Sequence, residues 1–90
     1  MKNYKDLERE LLNIKNESIA CDEKVRKILS WYSEEKDKMY NCVQSKKEMR
    51  QANDIMRQIL NLANKIIMAC PNLTNEGRSV WKLFYETQTL

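Results

Sequence analysis

YKDLERELLNIKNESIACDEKVRKILSWYSEEKDKMYNCVQSKKEMRQANDIMRQILNLANKIIMAC, residues 4–70, carries an apolar seam at alternating steps of three and four. The seam visits Tyr4, Leu7, Leu11, Ile14, Cys21, Val25, Ile28, Tyr32, Met39, Cys42, Met49, Met56, Leu60, Ala63, Ile67 and Cys70. Only Ser18, Glu35, Lys46 and Asn53 interrupt it. An a/d repeat of this length marks helix, and each knob on such a helix seeks a hole on a neighbour. The stripe needs a cover, so the expected fold is all-α, a coiled coil or helical bundle.

Two arrangements satisfy the repeat. One is a single helix of about 67 residues, roughly 100 Å long. The other is an antiparallel helical hairpin turning within the polar run Ser33-Glu34-Glu35-Lys36-Asp37-Lys38, which sets Leu11 against Ala63, Ile14 against Leu60 and Tyr32 against Cys42. That run holds no Gly, Pro or Asn, which argues for the continuous helix.

Pro71 ends the repeat, because proline lacks the amide and disfavours helix in the residue before it. The expected organisation is therefore a coiled-coil element over 1–70, a loop over 71–78, and a short aromatic helix and tail over 79–90. Thr74 is a candidate N-cap for a helix over about 75–86. Gly77 weakens the first turn of such a helix by about 1 kcal/mol relative to Ala, which makes Ser79 a competing cap.

Ninety residues suit one small domain, and a chain of this size buries little core alone. The net charge of +3 is unevenly spread. Residues 1–37 hold eight basic and nine acidic side chains (−1), and residues 38–90 hold eight basic and four acidic (+4). The basic set Lys46, Lys47, Arg50, Arg57 and Lys65 is sparser than long nucleic-acid-binding helices carry and reads as a solvated face. The three cysteines form no Cys-x-x-Cys pair, and in the seam they read as small buried hydrophobes. With no apolar run of membrane-spanning length and no signal peptide at its start, the chain is expected to be intracellular, cytoplasmic or nuclear.

The seam's polar members select a pairing. In an antiparallel dimer whose facing residue numbers sum to 81, Glu35 faces Lys46, Met39 faces Cys42 and Asp22 approaches Arg57. Burying either seam charge alone is costly, and pairing them fixes the register, with Asn53 a further polar seam position. Parallel pairing gains less, since Glu10–Lys15 attracts but Glu17–Asp22 repels. The apolar arc also widens at Leu29 and Trp31, and again at Ile55, Ile59, Leu62 and Ile66, which implies more than one neighbouring helix. The expected partners are a second copy of the chain or other helical subunits, met through the seam residues.

Catalysis finds no foothold: there is no histidine, and one glycine cannot build a phosphate-cradling loop. No cofactor or metal is expected. Trp81, Phe84 and Tyr85 are expected to pack back on the main helix, the alternative being an exposed partner-binding anchor. The last residues contain Thr87-Gln88-Thr89, which resembles the short linear motif bound by the dynein light chain. That resemblance implies strand addition to the light chain's sheet. The expected function is a non-catalytic oligomerisation or assembly subunit acting through coiled-coil contacts. The alternative is a small helical binder or inhibitor, of the kind a phage or virus encodes, that blocks a protein or nucleic-acid site with its 46–57 face.

Overall fold

In the computed structural model, which describes residues 2–89, the repeat is cut into three helices and a fourth follows Pro71. The first, α1, spans Tyr4–Lys15. Asn3 and Asp6 start it with a reciprocal capping box: the Asp6 amide donates to Asn3 Oδ1 at 2.9 Å, and the Asn3 amide donates to Asp6 Oδ2 at 3.3 Å. Such a box satisfies two amides that the first turn leaves unpaired. The chain leaves α1 at Asn16 and re-enters helix at Cys21, beginning α2 (Cys21–Asn41). Ala20 gives α2 no side-chain cap, and the acids Asp22 and Glu23 of its first turn complement the helix dipole instead.

Helix α2 runs without a break through residues 33–38, so the chain does not turn there. Charged helix formers with no breaker keep that run helical. The turn falls over residues 42–45. Ser45 then caps α3 (Lys46–Met68): the Glu48 amide donates to Ser45 Oγ at 3.1 Å, and Glu48 Oε2 accepts from the Gln44 amide at 3.2 Å. The continuous helix is therefore replaced by segments broken at 16–20 and 42–45. A molecule 42 Å long has no room for a 100 Å rod.

Pro71 lies in the turn after α3, as its chemistry requires. Thr74, rather than Ser79, caps the last helix α4 (Asn75–Gln88), its Oγ1 accepting from the Gly77 amide at 3.0 Å. Helix therefore occupies much of the 71–78 stretch that was expected to be loop.

Hydrogen bonds between elements give the directions. Lys2–Glu35, Trp31–Glu10 and Lys27–Glu17 pair α1 antiparallel with α2. Asp22–Thr74 and Lys36–Gln88 keep one offset along α2, so α4 runs parallel to it. Trp81–Asn64 and Tyr85–Asn61 set α4 antiparallel to α3. Helices α2 and α3 are the central pair. Helices α1 and α4 each pack on both of them and, among the described residues, not on each other.

The seam residues lie between these helices. Leu7, Leu11, Val25, Ile28, Tyr32, Met39, Met56, Leu60, Ala63 and Ile67 are buried, joined by Ala52, Ile59, Ile66 and Trp81. The broadened arc has the use its width implies: Ile59 and Ile66 are buried, while Ile55 and Leu62 pack at the margin, in a helix touching all three others. Burial of apolar area is the main stabilising term, worth about 1.5–3 kcal/mol per fully buried large side chain. The stripe that asked for a cover is covered largely by its own chain.

Candidate partner-binding groove

The expected interface residues divide between core and surface. Cys21 is buried with the core set, Ile14 is half-buried, and Cys42 and Met49 are exposed beside the 42–45 turn. The seam therefore loses its face at the turn, where Ala52 replaces Met49 in the interior.

The register-setting polar residues find partners inside the chain. Glu35 is the one buried charged residue among those described, and Lys2 Nζ reaches its Oε1 at 2.9 Å, with Lys38 further away at 3.9 Å. Lys2 also bridges to Glu10 Oε2 at 2.9 Å, and Trp31 Nε1 donates to Glu10 Oε1 at 3.1 Å. Hydrogen bonds donated to Glu10 and then to Glu35 raise the Lys2 ammonium above its ordinary value. Burial alone would push Glu10 up, but Lys2 and Trp31 together hold it below its ordinary value. Lys46 opens α3 in solvent, and Asn53 accepts the Tyr40 hydroxyl at 2.6 Å. Asp22 and Arg57, expected to meet across a dimer, bind Thr74 and Asp54 instead.

The aromatic residues of α4 pack inward. Trp81 is fully buried with its Nε1 on Asn64 Oδ1 at 2.9 Å, and Phe84 meets Tyr32 edge-on at 5.7 Å between ring centres. Tyr85 donates to Asn61 Oδ1 at 3.0 Å. Thr87 and Gln88 form the last turn of α4 and Thr89 its C-cap, with the Thr87 hydroxyl on the Leu83 carbonyl at 2.8 Å. Strand addition needs an extended segment, and this one is helical.

One surface region brings together residues from three helices. Tyr32, Lys36 and Tyr40 follow one face of α2 at steps of four. Arg50, Asn53, Asp54 and Arg57 follow one face of α3, and Gln88 and Thr89 close the end from α4. They line an open groove of about 560 Å³. Its floor is Tyr32, Met56 and Leu60, all buried in the core. The Tyr32 hydroxyl donates to the Met56 carbonyl at 3.3 Å, and burial, with a smaller contribution from Tyr40, pushes the phenol up to about 12.

The groove's walls are cationic and hydrogen-bonding. Lys36 Nζ lies 5.8 Å from the Tyr40 ring centre and donates to Gln88 Oε1 at 2.6 Å. A cation at that distance from an aromatic face is weakly attracted to it. Arg50 and Arg57 stand in solvent on α3. Asp54 is the one acid lining the groove among the described residues, and Arg57 holds it at 2.6 Å. Lys36 and Arg50 consequently leave a surplus of positive charge beside an aromatic wall.

Arg50 and Arg57 belong to the basic face singled out in the sequence. Lys36 and Tyr40 were not legible as their neighbours, since that needs the turn at 42–45. No protein-family model, curated protein or solved structure matches this chain. No helix among the described residues is long and apolar enough to cross a membrane.

Proposed function

We propose that this chain is a small non-catalytic helical binder, folded before it meets its target, that engages an acidic segment of a partner protein through the groove of Lys36, Arg50 and Arg57. The observation that carries the proposal is the placement of Lys36 and Arg50, from two helices, at one groove where Arg57 already holds Asp54, the one carboxylate lining it among the described residues. Guanidinium groups pair with carboxylates through two parallel hydrogen bonds, and Tyr40, Asn53 and Gln88 add an aromatic face and amides at the same place.

A protein carboxylate fits better than a nucleic-acid backbone. The cations are few, and a run of phosphates is normally met by a denser basic block. An assembly role through coiled-coil contacts draws less support, because the seam that motivated it is occupied by the chain's own packing. The apolar residues most exposed on α4, Val80 and Leu83, make a small surface for such a role.

The test compares two probes, a short fluorescent polyglutamate peptide and a single-stranded oligonucleotide, against the wild-type protein and Arg50→Glu. The peptide is expected to bind in a manner weakened by salt, and the charge reversal is expected to abolish that binding with helicity unchanged. Tighter binding of the oligonucleotide, or peptide binding indifferent to Arg50→Glu, would overturn the reading.

A further inference from the structure

At the other end of α2, the segments that carry Cys21 and Cys70 are tied together, and the two thiols are neighbours. Cys21 is the first residue of α2 and is buried, while Cys70 follows the C-cap of α3 and is half-buried. Two hydrogen bonds from Thr74 to the Asp22 carboxylate, at 3.1 and 2.5 Å, tie the start of α2 to the turn that holds Cys70. Lys24, one helical turn beyond Cys21 on the same face of α2, lines a surface cleft together with Cys70. The third cysteine, Cys42, is exposed beside the turn at the opposite end of α2.

The cleft beside Cys70 measures about 400 Å³. Lys15, Lys24 and Lys65 stand around it, contributed by three different helices, and Leu62, Ile66 and Pro71 supply an apolar floor. No carboxylate lines it among the described residues. Such a cleft favours a small anionic molecule over a neutral or cationic one.

We propose that Cys21 and Cys70 are a reversible dithiol–disulfide pair, oxidised by a small anionic disulfide of the glutathione class that approaches through the lysine-lined cleft. The Cys70 thiolate, the more accessible of the two, attacks one sulfur of the oxidant. The oxidant's S–S bond breaks, one thiolate leaves and takes up a proton, and a mixed disulfide remains on Cys70. The Cys21 thiol gives up its proton and attacks the Cys70 sulfur, forming the intrachain bond and releasing the second small thiol. Two protein thiols are oxidised, and one disulfide is reduced to two thiols.

Burial, and then the neighbouring Cys21 thiol, push the Cys70 thiol up, with Lys24 opposing them. Cys70 is therefore a slow nucleophile at neutral pH, suited to an equilibrium response rather than rapid catalysis. The intrachain bond fastens the start of α2 to the end of α3 and narrows the unfolded ensemble, so the oxidised protein is the more stable form.

The experiment incubates the protein with oxidised glutathione, blocks remaining thiols and maps the products by mass spectrometry. In the wild type a Cys21–Cys70 link is expected, with loss of the mass of two hydrogens, while exposed Cys42 carries at most a glutathione adduct. Cys21→Ser should trap glutathione on Cys70, and Cys70→Ser should leave buried Cys21 unmodified. Oxidation should raise the denaturant midpoint of the wild type and leave that of Cys21→Ser unraised. A wild-type product with glutathione retained on Cys70, or with Cys42 in the intrachain bond, overturns the proposal. So does a linked product no more stable than the reduced protein.

Discussion

The Asp22 carboxylate accepts both the Thr74 amide and the Thr74 hydroxyl, and it lies against the Cα of Gly77 in the first turn of α4. Thr74 in turn caps that helix by accepting the Gly77 amide, so one carboxylate from α2 fixes where α4 begins. A Cβ on residue 77 would collide with the Asp22 carboxylate. Glycine is needed here for space, since its backbone is ordinary helix.

The collision makes the effect of Gly77→Ala depend on residue 22. Alanine in place of glycine favours a helix interior by about 1 kcal/mol. In the wild type it must also displace the carboxylate from Thr74, and the net outcome is a lower urea midpoint. In an Asp22→Ala background the severe collision is gone, leaving the end of the Leu73 side chain at 3.1 Å to give way slightly, and Gly77→Ala should raise the midpoint. Chemical denaturation of the four proteins checks this; a rise in both backgrounds would refute the steric account.

Acid should loosen the start of α2 and the contact of α1 with its middle. Hydrogen bonds from Thr74 hold Asp22 below its ordinary value of 3.8, and Glu10, despite burial, is held below 4.5 by Lys2 and Trp31. A carboxylate with a depressed folded value binds fewer protons than it does in the unfolded chain. Its contribution is complete above the ordinary value and disappears as pH falls through the folded one. Denaturation midpoints should therefore be level near neutrality and drop from about pH 4.5 downward. Glu10→Gln should reduce that acid-induced drop.

Alkali acts on the groove floor. Tyr32, ordinarily near 10.0, is pushed up to about 12 chiefly by burial. The folded state holds the phenolic proton longer, so stability is retained below pH 10 and lost between pH 10 and 12. Tyr32→Phe should flatten that decline by at most about 1.4 kcal/mol per pH unit, the limit for one proton. An unchanged slope would show that Tyr32 is solvated.

The buried Glu35 carboxylate depends on Lys2. Lys2→Met leaves it with Lys38 at 3.9 Å, and an under-satisfied buried acceptor costs about 1–3 kcal/mol. Glu35→Gln should remove most of the penalty of Lys2→Met when the two are combined. Additive losses in the double mutant would mean that the ion pair does not couple them.

The seam told which face of each helix is apolar, and Leu7, Leu11, Val25, Ile28, Tyr32, Met56, Leu60, Ala63 and Ile67 all point into the core. It carried no information about whose helix covers that face, because a buried stripe looks the same against a second chain or a later segment of its own. The breaks were faint. Residues 33–38 lack a helix breaker and are helix, while the true turn at 42–45 is marked chiefly by the Ser45–Glu48 capping pair. The first break carries Asn16 and Ser18, polar residues suited to a turn but set inside a repeat that keeps its register across them. Of the groove, Arg50 and Arg57 were legible as a basic face. Lys36 and Tyr40 joined them only through the turn.

One chain closes its own core, and the function proposed for it requires that it be folded before a partner arrives. Light scattering at two protein concentrations, with circular dichroism on the same samples, is the measurement on which this stands or falls. A mass of 10.8 kDa and helicity unchanged on dilution are predicted. A dimer or larger mass whose helicity falls on dilution would contradict it, and would return the seam to a role between chains.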